Sequence, residues 1–175
     1  SRVVASAYKK GRVYVALNGY RWDDFSPYVY LSENYGATWT DIKSNLPDSP
    51  INVIIEDTAR ENILYVGNDN GVYISFDMGQ TWEPFSKGLT SAAVHDLVVQ
   101  KDERHLLVGT HGRSIYLADI SKIQQGNENL LKKAFHFFPI KEINHSKNWG
   151  RKWSAWGIPN KPDIEFSFFA ERIGT

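Results

Sequence analysis

The chain has 175 residues, and its twenty basic and twenty acidic side chains cancel to a net charge of +0, which excludes the broad positive field of a nucleic-acid binder. Hydrophobic residues at 42% and charged residues at 23% mark a globular chain, and a 14% aromatic share favours strands over helices. There is no cysteine, so disulfides and thiolate metal sites are excluded, and no apolar run is long enough to span a membrane.

The first residues, Ser1-Arg2-Val3-Val4-Ala5-Ser6, show neither an initiator Met nor a signal peptide. Strands are expected at residues 3–7, 12–17, 28–32 and 38–42, with a long loop at 18–27 in the middle hairpin. The same sequence of strands returns at 51–55, 63–67, 71–75 and 81–85, with a strong turn signal in Asn68-Asp69-Asn70-Gly71. A third set lies at 94–99, 106–109 and 115–118. Ser32-Glu33-Asn34-Tyr35-Gly36-Ala37-Thr38-Trp39 recurs 43 residues later as Ser75-Phe76-Asp77-Met78-Gly79-Gln80-Thr81-Trp82. A degenerate third copy, Ser114 to Asp119, has lost its Gly and Trp.

Four short strands in a period near 43 residues are the unit of a β-propeller blade. One such sheet cannot bury both faces, so each blade must pack on its neighbours. The expected fold is therefore all-β: a partial propeller of about three four-stranded blades over residues 1–120, then a second small β segment. Three blades are too few for the usual ring of about 4–8, so the rest of the propeller, or another copy of the chain, is the expected partner. Residues 121–134 read as a polar linker with a short helix at 129–134. Residues 135–175 form the closing segment, with a strand starting at 135–139 and another over the alternating stretch 163–169.

The repeated motif has residues suited to a tight turn. Asn34 and Asp77 can accept hydrogen bonds from the turn's own amides, and Gly36 and Gly79 permit φ > 0. Ser32, Ser75, Thr38 and Thr81 add hydroxyl bonds, and Trp39 and Trp82 are expected to bury their rings against the neighbouring sheet. Asn serves as well as Asp because the role is acceptance rather than charge. An Asp-x-x-Gly turn lacks the several oxygen ligands that calcium requires, so no metal is expected at it.

Candidate binding residues lie elsewhere. Arg21, Trp22, Asp23 and Asp24, beside Tyr20, could line a cleft, but neighbouring Asp residues on a strand point to opposite faces and make a poor catalytic pair, with or without Glu33. His111 and Arg113 sit in a Gly-flanked turn suited to presenting side chains, the Arg to a carboxylate or phosphate. His95 and His105 lie in separate strands, and no metal-ligand spacing joins them to His111. Trp149, Trp153 and Trp156, with Arg151 and Lys152, read as cover for an inter-domain seam. Nothing in the chain calls for a cofactor.

These motifs resemble the Asp-box, or BNR-repeat, propeller families, which include sialidases, xyloglucan-cleaving glycosidases and sortilin-like receptor domains. The chain is most similar to large bacterial glycosyl-hydrolase-like or sortilin-like proteins whose propeller ends in Gly-Thr-His-Gly-Arg, here Gly109-Thr110-His111-Gly112-Arg113. The stretch from Tyr14 to Phe25, and Asn45-Leu46-Pro47 followed by Ile51-Asn52-Val53-Ile54, carry the same likeness. Departures are Asn34 for the motif Asp and Ser114 where Gly is usual. The resemblance implies a propeller in an exported bacterial protein; protein, peptide or glycan partners are expected, while the neutral charge and short apolar runs speak against nucleic acid and membrane insertion. It supplies no catalytic residues, since Asp-box glycosidases draw those from other loops. A non-catalytic recognition or scaffolding role is the leading expectation. The alternative is a glycoside hydrolase fragment whose remaining catalytic residues lie upstream.

Overall fold

The computed structural model describes residues 1–85, 88–89, 91–126, 134–140, 142–162 and 164–170. The chain divides into two compact units, Ser1–Gln124 and Gln125–Thr175. The first holds three antiparallel sheets and is a partial propeller. Blade one contains β1 (Arg2–Ala5), β2 (Val13–Gly19), β3 (Asp24–Ser32) and β4 (Thr40–Asp41) in chain order. Blade two contains β5 (Ile51–Glu56), β6 (Leu64–Asn68), β7 (Gly71–Ser75) and β8 (Glu83–Pro84), again in chain order. Blade three has three strands among the described residues: β9 (Val94–Gln100), β10 (His105–Thr110) and β11 (Ile115–Asp119).

Registers repeat from blade to blade. Tyr14 pairs with Leu31, Tyr65 with Ile74, and Leu107 with Leu117. Side chains alternate between faces along each strand, so blade two points one set at each neighbour. Ile54, Leu64, Val66 and Trp82 pack with Tyr14, Ala16 and Val29 of blade one. Val53, Tyr65, Val72 and Ile74 pack with Val94, Leu97, Leu106 and Val108 of blade three. Burial on both faces explains the nearly continuous apolar sequence of this blade, against the looser alternation of the outer two. Gly67 lies at the tightest approach, where a Cβ would come within 2.5 Å of Val94 and 2.7 Å of Val53.

Two adjacent acids fasten the blades together. Glu56 accepts hydrogen bonds from Ser6 Oγ at 2.7 Å, the Ala7 amide at 2.9 Å and the Tyr14 hydroxyl at 3.0 Å, all on blade one. Buried Arg12 bridges the same seam, reaching Glu33 at 2.8 Å and Glu61 at 2.7 Å. Asp57 turns the other way. It accepts from the Tyr65 hydroxyl at 3.0 Å and from Gln124 Nε2 at 3.1 and 3.0 Å, in the helix α1 (Ser121–Gln125) that follows β11. Burial and the facing carboxylate both push the Tyr14 and Tyr65 hydroxyls well above the usual tyrosine range, so both stay protonated donors.

The two repeated turns close by the same bonds. The Gly36 and Gly79 amides donate to Ser32 and Ser75 Oγ at 2.8 and 2.7 Å. The Thr38 and Thr81 amides donate to Asn34 Oδ1 and Asp77 Oδ1 at 2.9 and 2.8 Å. One bond reverses direction: Asn34 donates its amide to the Thr38 hydroxyl, whereas Asp77 accepts from that of Thr81. Gly36 and Gly79 have φ of 87° and 89°, and the preceding Tyr35 and Met78 are also left-handed at 59°.

The two tryptophans of the motif differ. Trp82 is 1% exposed and its indole N–H donates to the Ile42 carbonyl of the preceding blade at 2.8 Å. Trp39, expected to be buried likewise, is 45% exposed. Burial of this ring requires a preceding blade, and none stands before blade one among the described residues. The loop expected at 18–27 is shorter than anticipated: β2 and β3 run on to Gly19 and Asp24, joined by a single 3-10 turn at Tyr20–Trp22. Asn18 Oδ1 tightens that turn by accepting the Tyr20 amide at 2.9 Å.

In the second unit β12 (Phe135–Phe137) pairs with β13 (Phe168–Ala170), and Phe135 stacks on Phe168 at 5.7 Å. The strand expected over 163–169 is confined to its end. Ile164 and Phe166 are 49% and 60% exposed, so the alternation there has no face to bury, and Asp163 lies outside the described residues. The helix expected at 129–134 falls almost wholly outside the described residues. The α-helix that is described is α1, which ends at Gln125, before that expectation begins. Trp153 and Trp156, expected to cover a seam, are fully exposed at 102% and 98%. No helix among the described residues is long and apolar enough to cross a membrane.

Two measurements test this account. Trp82→Ala should destabilise the chain by about 3–5 kcal/mol through cavity formation, whereas Trp39→Ala should change it by less than about 1 kcal/mol; chemical denaturation of both variants decides. Equal losses would mean that the two turns are packed alike. The second concerns acid. Burial tends to raise the Asp77 pKa, but hydrogen bonds from Thr81 and Ser75 outweigh it and hold the carboxyl below its ordinary value. Such a group stabilises the fold above its unfolded-state value of about 3.9 and ceases to do so as pH falls through the lower folded value. Asp77→Asn should therefore flatten the stability profile below about pH 4, with the amide keeping the turn as Asn34 does.

Candidate functional site

Strand ends from all three blades meet at one edge of the propeller and line a half-open cavity of about 360 Å³. Asn18 and Tyr20 come from the end of β2 and the turn after it, Asn52 from β5 and Asp69 from the β6–β7 turn. Ala93, His95 and His111 come from β9, the residue before it and the turn after β10. Antiparallel neighbours alternate their connections between the two ends of a sheet, which gathers these segments at one end.

A directed chain of hydrogen bonds fixes the amides. Asn18 Nδ2 donates to Asn52 Oδ1 at 2.5 Å, and Asn52 Nδ2 donates to Asp69 Oδ1 at 2.8 Å. The Asp69 amide itself donates to Ser49 Oγ at 3.3 Å. Asn18 Oδ1 is occupied by the Tyr20 amide, so both amide oxygens are committed within the protein. The chain ends on a carboxylate whose second oxygen remains an acceptor. His95 and His111 stand beside one another with ring centroids 5.3 Å apart. Their meeting comes from the β9–β10 register, in which Thr110 pairs with Val94 across a bulge, and from the His111 amide donating to the Ala93 carbonyl at 2.8 Å. Tyr20, 60% exposed, lies edge-on to Phe25 at 6.1 Å.

The residues singled out in the sequence fare unequally. His111 lines the cavity, as does Tyr20, but Arg21, Trp22, Asp23, Asp24 and Arg113 do not. Trp22 is 80% exposed. Asp23 is the left-handed cap of the 3-10 turn at φ 54°. Asp24 accepts from the Tyr28 hydroxyl at 2.6 Å and the Ser26 amide at 3.0 Å, bonds that lower its pKa. Glu33 is spent on Lys9 and Arg12, at 2.5 and 2.8 Å. Arg113 is exposed, beyond a Gly112 at φ 76°.

Asn18, Asn52, Asp69 and His95 are the members that sequence reasoning missed. Their shared signal is position, since each falls at or near the end of an expected strand. His95 and His105 do lie in separate strands, β9 and β10, and the hairpin register brings His95 beside His111; no group of three or more His, Asp or Glu among the described residues could hold a metal ion.

No curated protein matches the sequence significantly. Among solved structures, the fold is similar to that of an ancestral GH74 enzyme, with a TM-score of 0.52 and 21% identity over 64% of this chain and 13% of that one. It is also similar to the GH74 xyloglucanase from Xanthomonas campestris, with a TM-score of 0.55 and 16% identity over 70% of this chain and 21% of that one. The chain thus spans about a fifth or less of the length of these structures, and at this identity the likeness is one of fold. The family model described as sortilin, neurotensin receptor 3, matches residues 27–155. With that match over most of its length, and with blades packed as described, the chain belongs to the Sortilin-Vps10 family.

Proposed function

We propose that this chain is a non-catalytic recognition and scaffolding portion of a larger exported protein, whose propeller binds protein or glycan partners. The observation that carries this reading is the cavity at the blade ends, where Asp69 is the one carboxylate among the lining residues. Hydrolysis of a glycosidic bond ordinarily needs two carboxyl groups flanking it, and binding does not. The two Ser-x-Asp/Asn-x-Gly-x-Thr-Trp turns fit Asp boxes in chemistry and spacing. Their bonds are satisfied internally, consistent with a purely structural role.

The partners that complete the propeller are the rest of the ring or a second copy of the chain. Val3, Leu17 and Trp39 on blade one, and Val98, Ile115 and Leu117 on blade three, are exposed apolar residues. Their counterparts on blade two are buried between sheets, which supports further blades as their natural cover.

A second reading is a glycoside hydrolase fragment whose remaining catalytic residues lie outside this chain, supported by the likeness of fold to GH74 enzymes. In that case Asp23→Asn or Asp24→Asn would sharply lower the rate of the full-length protein. Incubation of the full-length protein with xyloglucan oligosaccharides, followed by reducing-end analysis, separates the two. No release of sugar is expected. Turnover that disappears in Asp69→Asn would overturn the recognition reading.

A further inference from the structure

The geometry points to the cavity at the blade ends as a socket for a basic side chain of a protein partner, a lysine ammonium above all. This rests on the recognition reading and names its ligand. The lining includes one carboxylate and neither Lys nor Arg, so with neutral imidazoles its formal charge is negative. The nearby cation Arg2 is committed to Asp96. An anion entering here would meet Asp69 with no compensating cation, whereas an ammonium would find a charge partner and an unoccupied acceptor oxygen.

The hydrogen-bonding capacity leads the same way. Each amide oxygen of the Asn18–Asn52 pair already accepts one bond inside the protein, and Asp69 Oδ1 already receives the Asn52 amide. What remains includes an acceptor on Asp69, and each neutral imidazole of His95 and His111 can offer one acceptor nitrogen, so a ligand that brings donors finds partners here. The other lining groups are the phenol ring of Tyr20 and the methyl of Ala93. They suit an alkyl stem ending in a cation: methylenes cover apolar surface, and the ammonium gains from an aromatic face. The bonds from Asn18 through Asn52 hold Asp69 in place before a ligand arrives, so less ordering is lost on binding.

The test is an NMR titration of the chain, following the imidazole resonances of His95 and His111. The probes are Nα-acetyl-lysine methylamide, its glutamate counterpart, glucose and glucosamine. The lysine amide should shift both imidazoles saturably, more weakly as salt is raised, while the glutamate amide and glucose should not. Asp69→Asn should weaken lysine binding about tenfold. Tyr20→Leu, which leaves the acid in place, should weaken it severalfold and serves if the Asp69 variant does not fold. The proposal is overturned if glucose or the glutamate amide binds as tightly. It is equally overturned if both variants bind lysine like the parent chain, or if no probe shifts the imidazoles. Saturation by glucosamine at least as tight as by the lysine amide would assign the site to an amino sugar and overturn the protein source. None of these outcomes involves turnover, so failure here is distinct from failure of the non-catalytic reading.

Discussion

A four-stranded sheet in water has two faces to hide, and in this chain the middle blade hides both at once. The junction of β5 and the turn after it shows how. Glu56 and Asp57 are neighbours in sequence, yet one gathers Ser6, Ala7 and Tyr14 from the blade before, and the other gathers Tyr65 and Gln124 on the side of the blade after. A buried carboxylate without donors would cost several kcal/mol, so each acid enforces a docking geometry that keeps its donors in place. The apolar clusters on either side supply bulk attraction. The acids select which arrangement of the blades is satisfied.

Much of this fold was legible because turn chemistry is local. Ser75, Asp77, Gly79 and Thr81 close their turn with bonds spanning no more than four residues, so their meaning survives without knowledge of the neighbours. What depends on neighbours was not legible. Trp39 and Trp82 occupy the same place in the repeat, and only the presence of Ile42 on an adjoining blade separates an exposed ring from a buried one. The buried acids were hidden for the same reason: in sequence Glu56 to Asn62 looks like any polar turn. The C-terminal alternation misled because period two promises a strand only where a second layer exists to receive one face.

The cavity was illegible for a different reason. Its residues come from five separated segments, and most carry no motif by themselves. Asn18 and Asn52 are ordinary strand-end amides until the β2 and β5 ends are brought close enough for their side chains to hydrogen-bond at 2.5 Å. His95 and His111 meet through a bulge, a one-residue shift that no pattern of hydrophobicity announces. Architecture follows from repetition, whereas the site follows from where repetition is broken by a loop or a shifted register.

The glycine at position 67 has an implication beyond the two blades it joins. Blades of a propeller are wedges, and a ring that continues them must return to its starting point after a whole number of steps. With Val94 and Val53 within 2.7 Å of where a Cβ would stand, any side chain there would splay this junction open. In an open stack the error would stay where it arose. In a closed ring it would have to be absorbed by every other junction, so the missing methyl at a single site bears on the angular pitch of the whole assembly.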